Sequence, residues 1–267
     1  MKKAIKRILK ETSEQFYDYQ GKVLEFKDTE DLHQMRVAGR TLLTYFSLLA
    51  DKEETARPGF LKIRNPLKDT MSLLGGIRDL DVLMEELRQR SMDMPAEQAA
   101  LVEGLLSGML VERVRLREQL VIEMPGRIGP GWKKRLDKWV KKQVPDLADR
   151  DAIEERVAGL RRKKEKALEA VREYPCQDMA DEEFLDTIHR GRISVKKLRY
   201  ALNILKKLNT TDKSEVDALK VLQERLGHIQ DMRVWAAMLH EHYGNSDIAE
   251  NIVAQWRAEM RDTLYEA

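Results

Sequence analysis

The chain has 267 residues, enough for one large domain or two modest ones. Its 48 Lys and Arg nearly balance 46 Asp and Glu, a net charge of +2, so any affinity for anions must come from locally concentrated charge. Apolar residues recurring throughout exclude a disordered chain, and a single cysteine, Cys176, excludes an internal disulfide framework.

Apolar positions at three- and four-residue spacing predict an all-α protein, with helices over 1–26, 31–50, 60–90 and 96–123. Residues 125–146, rich in Pro and Gly, should stop the fourth helix and enclose a short basic one ended by Pro145. Trp132 and Trp139 in that stretch are expected to pack between bundles. Helices follow over 150–173, 181–207, 212–243 and 245–266. Gly75-Gly76 and Gly227 should interrupt and bend the two longest helices, because glycine costs roughly 1 kcal/mol in a helix interior. The first ten residues are basic but no apolar run follows, and the most apolar segment is too short and too interrupted to span a bilayer. We therefore expect a soluble cytoplasmic protein with no membrane partner and no signal peptide.

Four helices on each side of the break prompt a search for self-similarity. "HQMRVAGRTLLTYFSLL" from His33 matches "HRGRISVKKLRYALNIL" from His189, and "LKDTMSLLGGIRDLDVL" from Leu67 matches "LKVLQERLGHIQDMRVW" from Leu219. The offsets, 156 and 152 residues, are nearly equal. The sequence thus predicts two four-helix bundles related by duplication: 1–124, a connector over 125–149, and 150–267.

Charge is distributed one-sidedly within the repeats. No acid occurs from Thr187 to Thr211, or from Leu32 to Ala50. At about 100° per residue, His189, Arg192, Lys196, Arg199, Lys206 and Lys207 form one strip, opposite Leu198, Ala201, Leu202 and Leu205. Lys197 stands apart from it. His33, Arg36 and Arg40 form the matching strip of the first repeat, weaker because Leu43 stands where the second has Arg199. Solvated helix faces usually mix signs, since like charges three or four residues apart repel by a few tenths of a kcal/mol each. A strip without acids in both repeats is explained by an anion that neutralises it. The second matched pair adds Lys68 and Lys220, with Arg78 and His228 beyond the glycines. Asp79 and Asp231 would cap a helix segment there or hold a neighbouring base.

HxxRVxxR, "LLGGIRDLDVL", "HRGRISVKKLRY" and "LQERLGHIQD", in that order along the chain, resemble the CHAD domain, the conserved-histidine α-helical domain. The resemblance implies two four-helix bundles with pseudo-twofold symmetry and a basic groove or pore that binds inorganic polyphosphate. It implies a non-catalytic role at polyphosphate granules, or as a module beside polyphosphate-metabolising enzymes. Carried over by position, the ligand set is His33, Arg36, Arg40, Lys68 and Arg78, then His189, Arg192, Lys196, Lys197, Arg199 and Lys220. Lys206, Lys207 and His228 complete the candidates. The chain departs from the family at Thr41 and Leu43, where further bases are usual, and at Gln230, which replaces Arg78 in the second repeat.

Two other function classes stay open. The basic stretches at 133–142 and 161–166 point to nucleic acid, against which stand the near-zero net charge and the lack of a recognition module. Glu30-x-x-His33 and Asp186-x-x-His189 have the spacing of bundle metal ligands, but these histidines lie away from the apolar stripes. His240 and His242 point to different faces of a helix. With no phosphate loop, nucleophile elbow or zinc spacing, neither a cofactor nor catalysis is expected.

Overall fold

The computed structural model describes residues 1–208, 213–244 and 246–265, and among these every regular element is helical. In chain order they are α1 (Lys2–Glu25), α2 (Thr29–Leu49), α3 (Lys52–Ala56), α4 (Pro58–Ser91), α5 (Ala96–Arg127) and α6 (Pro130–Lys142). Then come α7 (Val144–Leu147), α8 (Arg150–Arg172), α9 (Glu182–Lys207), α10 (Lys213–Tyr243) and α11 (Asp247–Tyr265). The all-α fold is as the periodicity predicts. The predicted helix ends at Asp212, Asn245 and Glu266 lie outside the described residues.

Local chemistry sets the boundaries. Asp28 accepts a hydrogen bond from Glu30 N (2.8 Å) and caps α2, and Asp181 does the same for α9 through Glu183 N (2.8 Å). Phe26 closes α1 in the left-handed conformation (φ 51°). Arg156 Nη1 donates to the carbonyls of Leu48 (2.6 Å) and Leu49 (3.3 Å), supplying donors for orphan acceptors at the end of α2.

Expectations about helix-breaking residues fail at Pro125 and at the glycines. Pro125 does not stop α5, which runs on to Arg127. The proline falls in the last turn, so its missing N–H costs a single backbone bond with little helix beyond it to disrupt, and Ile128 N still bonds Met124 O at 2.8 Å. Nor do the glycines interrupt their helices: α4 is continuous through Gly75-Gly76 and α10 through Gly227. Their purpose is space. A Cβ on Gly75 would lie 2.9 Å from Arg36 Nη1, and one on Gly76 would lie 2.8 Å from Leu116 Cδ1.

The chain divides into two compact units that do not follow chain order. Unit 1 takes Met1–Asp81, Glu112–Val157 and Tyr200–Thr211; unit 2 takes Val82–Val111, Ala158–Arg199 and Asp212–Ala267. Helices α4, α5, α8 and α9 therefore each contribute to both, whereas the division expected from sequence falls at the 125–149 connector.

Unit 1 packs α1 along α2, with α6 and α7 laid against α1. Its core is aromatic. Trp132 packs on Phe16 (5.9 Å between centroids), and Trp139 on Phe46 (5.2 Å) and Phe60 (5.4 Å). Both tryptophans are thus core residues of one unit, not spacers between bundles. They offset the cost of burial by hydrogen bonding: Trp132 Nε1 donates to Ile63 O (2.9 Å), and Trp139 Nε1 to Glu54 Oε1 (2.6 Å). Unit 2 pairs α10 with α11 over Trp235 and Trp256, 5.8 Å apart. Among the described residues no helix is long and apolar enough to cross a membrane.

Glu54 is 2 % exposed and also meets Arg57 Nη1 at 3.1 Å. Glu54→Ala leaves the buried indole N–H of Trp139 without its acceptor and should cost about 1–3 kcal/mol, read as a lower urea midpoint. Glu54→Gln, which keeps an accepting oxygen, should cost less. Equal midpoints for wild type and Glu54→Ala would show that this bond does not anchor α6.

Candidate functional site

The strip of unit 1 is built on α2. Asp28 fixes the start of the helix, and Leu42, Tyr45, Phe46 and Leu49 hold its other side in the core. His33 stays exposed, Arg40 is half-buried, and Arg36 is sunk to 9 % exposure. Arg36 reaches α4 at Gly75, where the missing side chain lets the guanidinium close on the helix backbone. There Nη2 donates to Asp79 Oδ1 at 3.2 Å, while the buried Nη1 has no hydrogen-bond partner among the described residues. Burial lowers the pKa of Arg36 from the ordinary arginine value; the Asp79 carboxylate and Tyr200 oppose that shift, and Arg40 and Arg78 add to it. Asp79 thus holds a neighbouring arginine. It caps nothing, because no helix ends there.

Arg40 is positioned by a residue that the sequence does not single out for this. Its guanidinium lies over the Tyr200 ring, 4.9 Å from the centroid, and donates to the phenol oxygen. Arg78 is half-buried and Lys68 exposed, both on α4; Lys206, half-buried, and Lys207, exposed, end α9 in the same unit.

The strip of unit 2 lies on α9 and meets α10. Arg192 faces Gly227 as Arg36 faces Gly75, but less closely: a Cβ there would lie 3.9 Å from Arg192 Nε, an ordinary contact, and that nitrogen is buried without a hydrogen-bond partner among the described residues. His189 Nδ1 lies 2.6 Å from Gln230 Oε1, and Arg199 Nε donates to Gln223 Oε1 at 2.9 Å. Each of these bases is thus contacted by a neutral amide of α10. Gln223, Gly227 and Gln230 recur at helical spacing on α10, a pattern visible in the sequence once the partner helix is known. Lys196 is half-buried and Lys197 exposed. Lys220 is exposed and pairs with Glu224 at 3.7 Å, a solvent-screened contact.

His228 is differently employed. Its Nε2 lies 2.8 Å from Glu259 Oε1 and its Nδ1 3.3 Å from Glu86 Oε1, and Arg90 grips Glu259 with both terminal nitrogens (2.7 and 2.8 Å). Both ring nitrogens face carboxylates, so the cluster ties α4, α10 and α11 together within unit 2. The Asp186 of the candidate metal pair accepts from Arg233 at 2.7 Å, and Glu30 accepts from Gln34. Among the described residues no three His, Cys, Asp or Glu side chains gather as a metal-ligand set.

The His228 cluster makes stability depend on pH. Glu86, then Glu259, raises the imidazole pKa against burial and Arg90, which lower it. A raised folded-state pKa stabilises fully below the unfolded value near 6.5, and the contribution is lost as pH rises through the folded value. Glu259, held down to about 2 chiefly by Arg90, contributes above the unfolded carboxylate range and is lost as pH falls toward about 2. As pH rises above about 6.5, the urea midpoint should fall more steeply in wild type than in His228→Gln. Identical pH profiles would show that His228 does not carry the dependence.

Comparison with known proteins follows the geometry. The family model described as the CHAD domain matches residues 7–240. Among solved structures, PptA from Streptomyces chartreusis superposes with a TM-score of 0.69 at 13 % identity, covering 99 % of this chain and 96 % of that one. The CHAD domain from the plant Ricinus communis superposes with a TM-score of 0.66 at 22 % identity, covering 100 % and 88 %. No curated protein matches the sequence.

Proposed function

The chain belongs to the CHAD family, whose known role is polyphosphate binding, and from that premise we propose that it binds inorganic polyphosphate without transforming it. The observation that carries this reading is the pair of acid-poor cationic strips, each with an arginine facing a helical glycine, closely at Gly75 and at ordinary contact distance at Gly227, and a buried nitrogen without a hydrogen-bond partner among the described residues. The Arg36 guanidinium is already desolvated and held by Asp79, so an arriving phosphate oxygen supplies a charge-assisted bond without the ordering cost of a free side chain. Polyphosphate has charge on every unit and no sequence to read, which suits spaced Arg and Lys. The ligand set is His33, Arg36, Arg40, Lys68 and Arg78 in one repeat and His189, Arg192, Lys196, Lys197, Arg199 and Lys220 in the other, with Lys206 and Lys207 extending α9. The recurrence of the Arg–Gly contact in both repeats supports their origin by duplication. In the cell, the protein would associate with polyphosphate granules and organise them.

The test is substitution against a long polyphosphate chain. Arg36→Gln with Arg40→Gln, and Lys196→Gln with Arg199→Gln, should each weaken binding about tenfold or more, since a bond to a charged group contributes about 1.5–3 kcal/mol. Gly75→Ala should also weaken binding, because its Cβ displaces the Arg36 tip. Gly21→Ala, with nothing within 4 Å of its Cβ, should leave affinity alone. Undiminished affinity in both double variants would contradict the assignment.

A further inference from the structure

Helix α6 carries a second concentration of charge that the strips do not include. Lys134, Arg135, Lys138, Lys141 and Lys142 are all exposed, and none forms an ion pair among the described residues. At about 100° per residue they share a face roughly 120° wide, while Trp132, Leu136, Trp139 and Val140 occupy the opposite side and are buried. The one acid on the helix, Asp137, is held by Lys133 at 2.6 Å. The face is rigidly seated, because both indoles beneath it are hydrogen-bonded into the core of unit 1.

Bland explanations cover only part of this. Lys141 and Lys142 lie in the last turn, where cations complement the helix dipole, but Lys134, Arg135 and Lys138 do not. Lys138 lies three or four residues from each of the other four, and like charges at that spacing destabilise a helix. The face is also separate from the α2 strip. Trp139 packs on Phe46, which stands roughly 120° round α2 from Arg40.

We propose that the outward face of α6 is a second polyphosphate-binding surface, so that one molecule holds two stretches of polyphosphate and bridges chains. The inference rests on the polyphosphate reading above. Charge density favours this anion over nucleic acid. Lys134 to Lys142 spans about 12 Å of helix, whereas one strand of duplex DNA presents a phosphate only every 3.4 Å or so of axis, about four against five cations. The tryptophans are buried, so no aromatic platform is offered to a base.

The experiment compares wild type with a variant carrying Lys134→Gln, Arg135→Gln, Lys138→Gln, Lys141→Gln and Lys142→Gln, matched by circular dichroism. Long-chain polyphosphate is titrated across a salt series while light scattering reports bridging. The variant should still bind through its strips. Its plot of log affinity against log salt should flatten by about 0.7 for each phosphate that α6 no longer neutralises, and its scattering should drop. The pair Lys134→Gln and Lys138→Gln carries the same expectation at smaller size, should the fivefold variant fail to fold. Unchanged slope and scattering would overturn the α6 site while leaving the strips standing, and so would a greater loss of affinity for duplex DNA than for polyphosphate. Wild type that bound no polyphosphate would overturn both readings.

Discussion

Removing a guanidinium from water is expensive unless its charge and its N–H groups are answered, and Arg36 is buried with only part of that answer in place. Asp79 takes one nitrogen, and a second, packed on the α4 backbone at Gly75, has no hydrogen-bond partner among the described residues. The arrangement depends on Gly75, because any side chain there would push the guanidinium off the helix. It depends equally on α2 being locked from its other side, through the aromatic cluster of Phe46, Phe60 and Trp139 and the Arg156 bonds to the α2 carbonyls. A rigid frame holding an under-satisfied cation favours whatever anion can complete it.

Unit 2 shows the same residue types used in two opposite ways. At His228 the charges close on themselves: two carboxylates, an arginine and an imidazole satisfy one another across three helices. Along α9 the groups that orient His189 and Arg199 include the neutral Gln230 and Gln223, which fix direction without adding an acid. A network that neutralises itself holds helices together; amides orient a side chain without contributing a charge of their own. Tyr200 does for Arg40 what the glutamines do on α9, through a ring face and a hydroxyl.

Much of this is legible in the sequence. Three- and four-residue spacing locates the long helices, and the absence of acids locates both strips. Glycine misleads because its helix penalty is a local property, whereas its use at Gly75 is set by Arg36, a residue on another helix. Pro125 misleads because the cost of proline depends on how far the helix has left to run. The Arg40–Tyr200 contact joins residues 160 apart, and the carboxylates on His228 lie 142 and 31 residues from it, so spacing carries no trace of either. Likewise, periodicity gives the order of helices but not that α4, α5, α8 and α9 each serve two compact units.

The central claim is that fixed, acid-poor cationic strips select a dense phosphate chain and leave it intact. Its most direct test is equilibrium binding of the unmodified protein to long-chain polyphosphate and to duplex DNA of equal phosphate content, from low to physiological salt. The length of the polyphosphate is measured before and after. The account predicts tighter binding of polyphosphate at every salt concentration, log affinity falling linearly with log salt, and an unchanged chain length. Equal affinity for DNA, or release of orthophosphate by the purified protein, would contradict it.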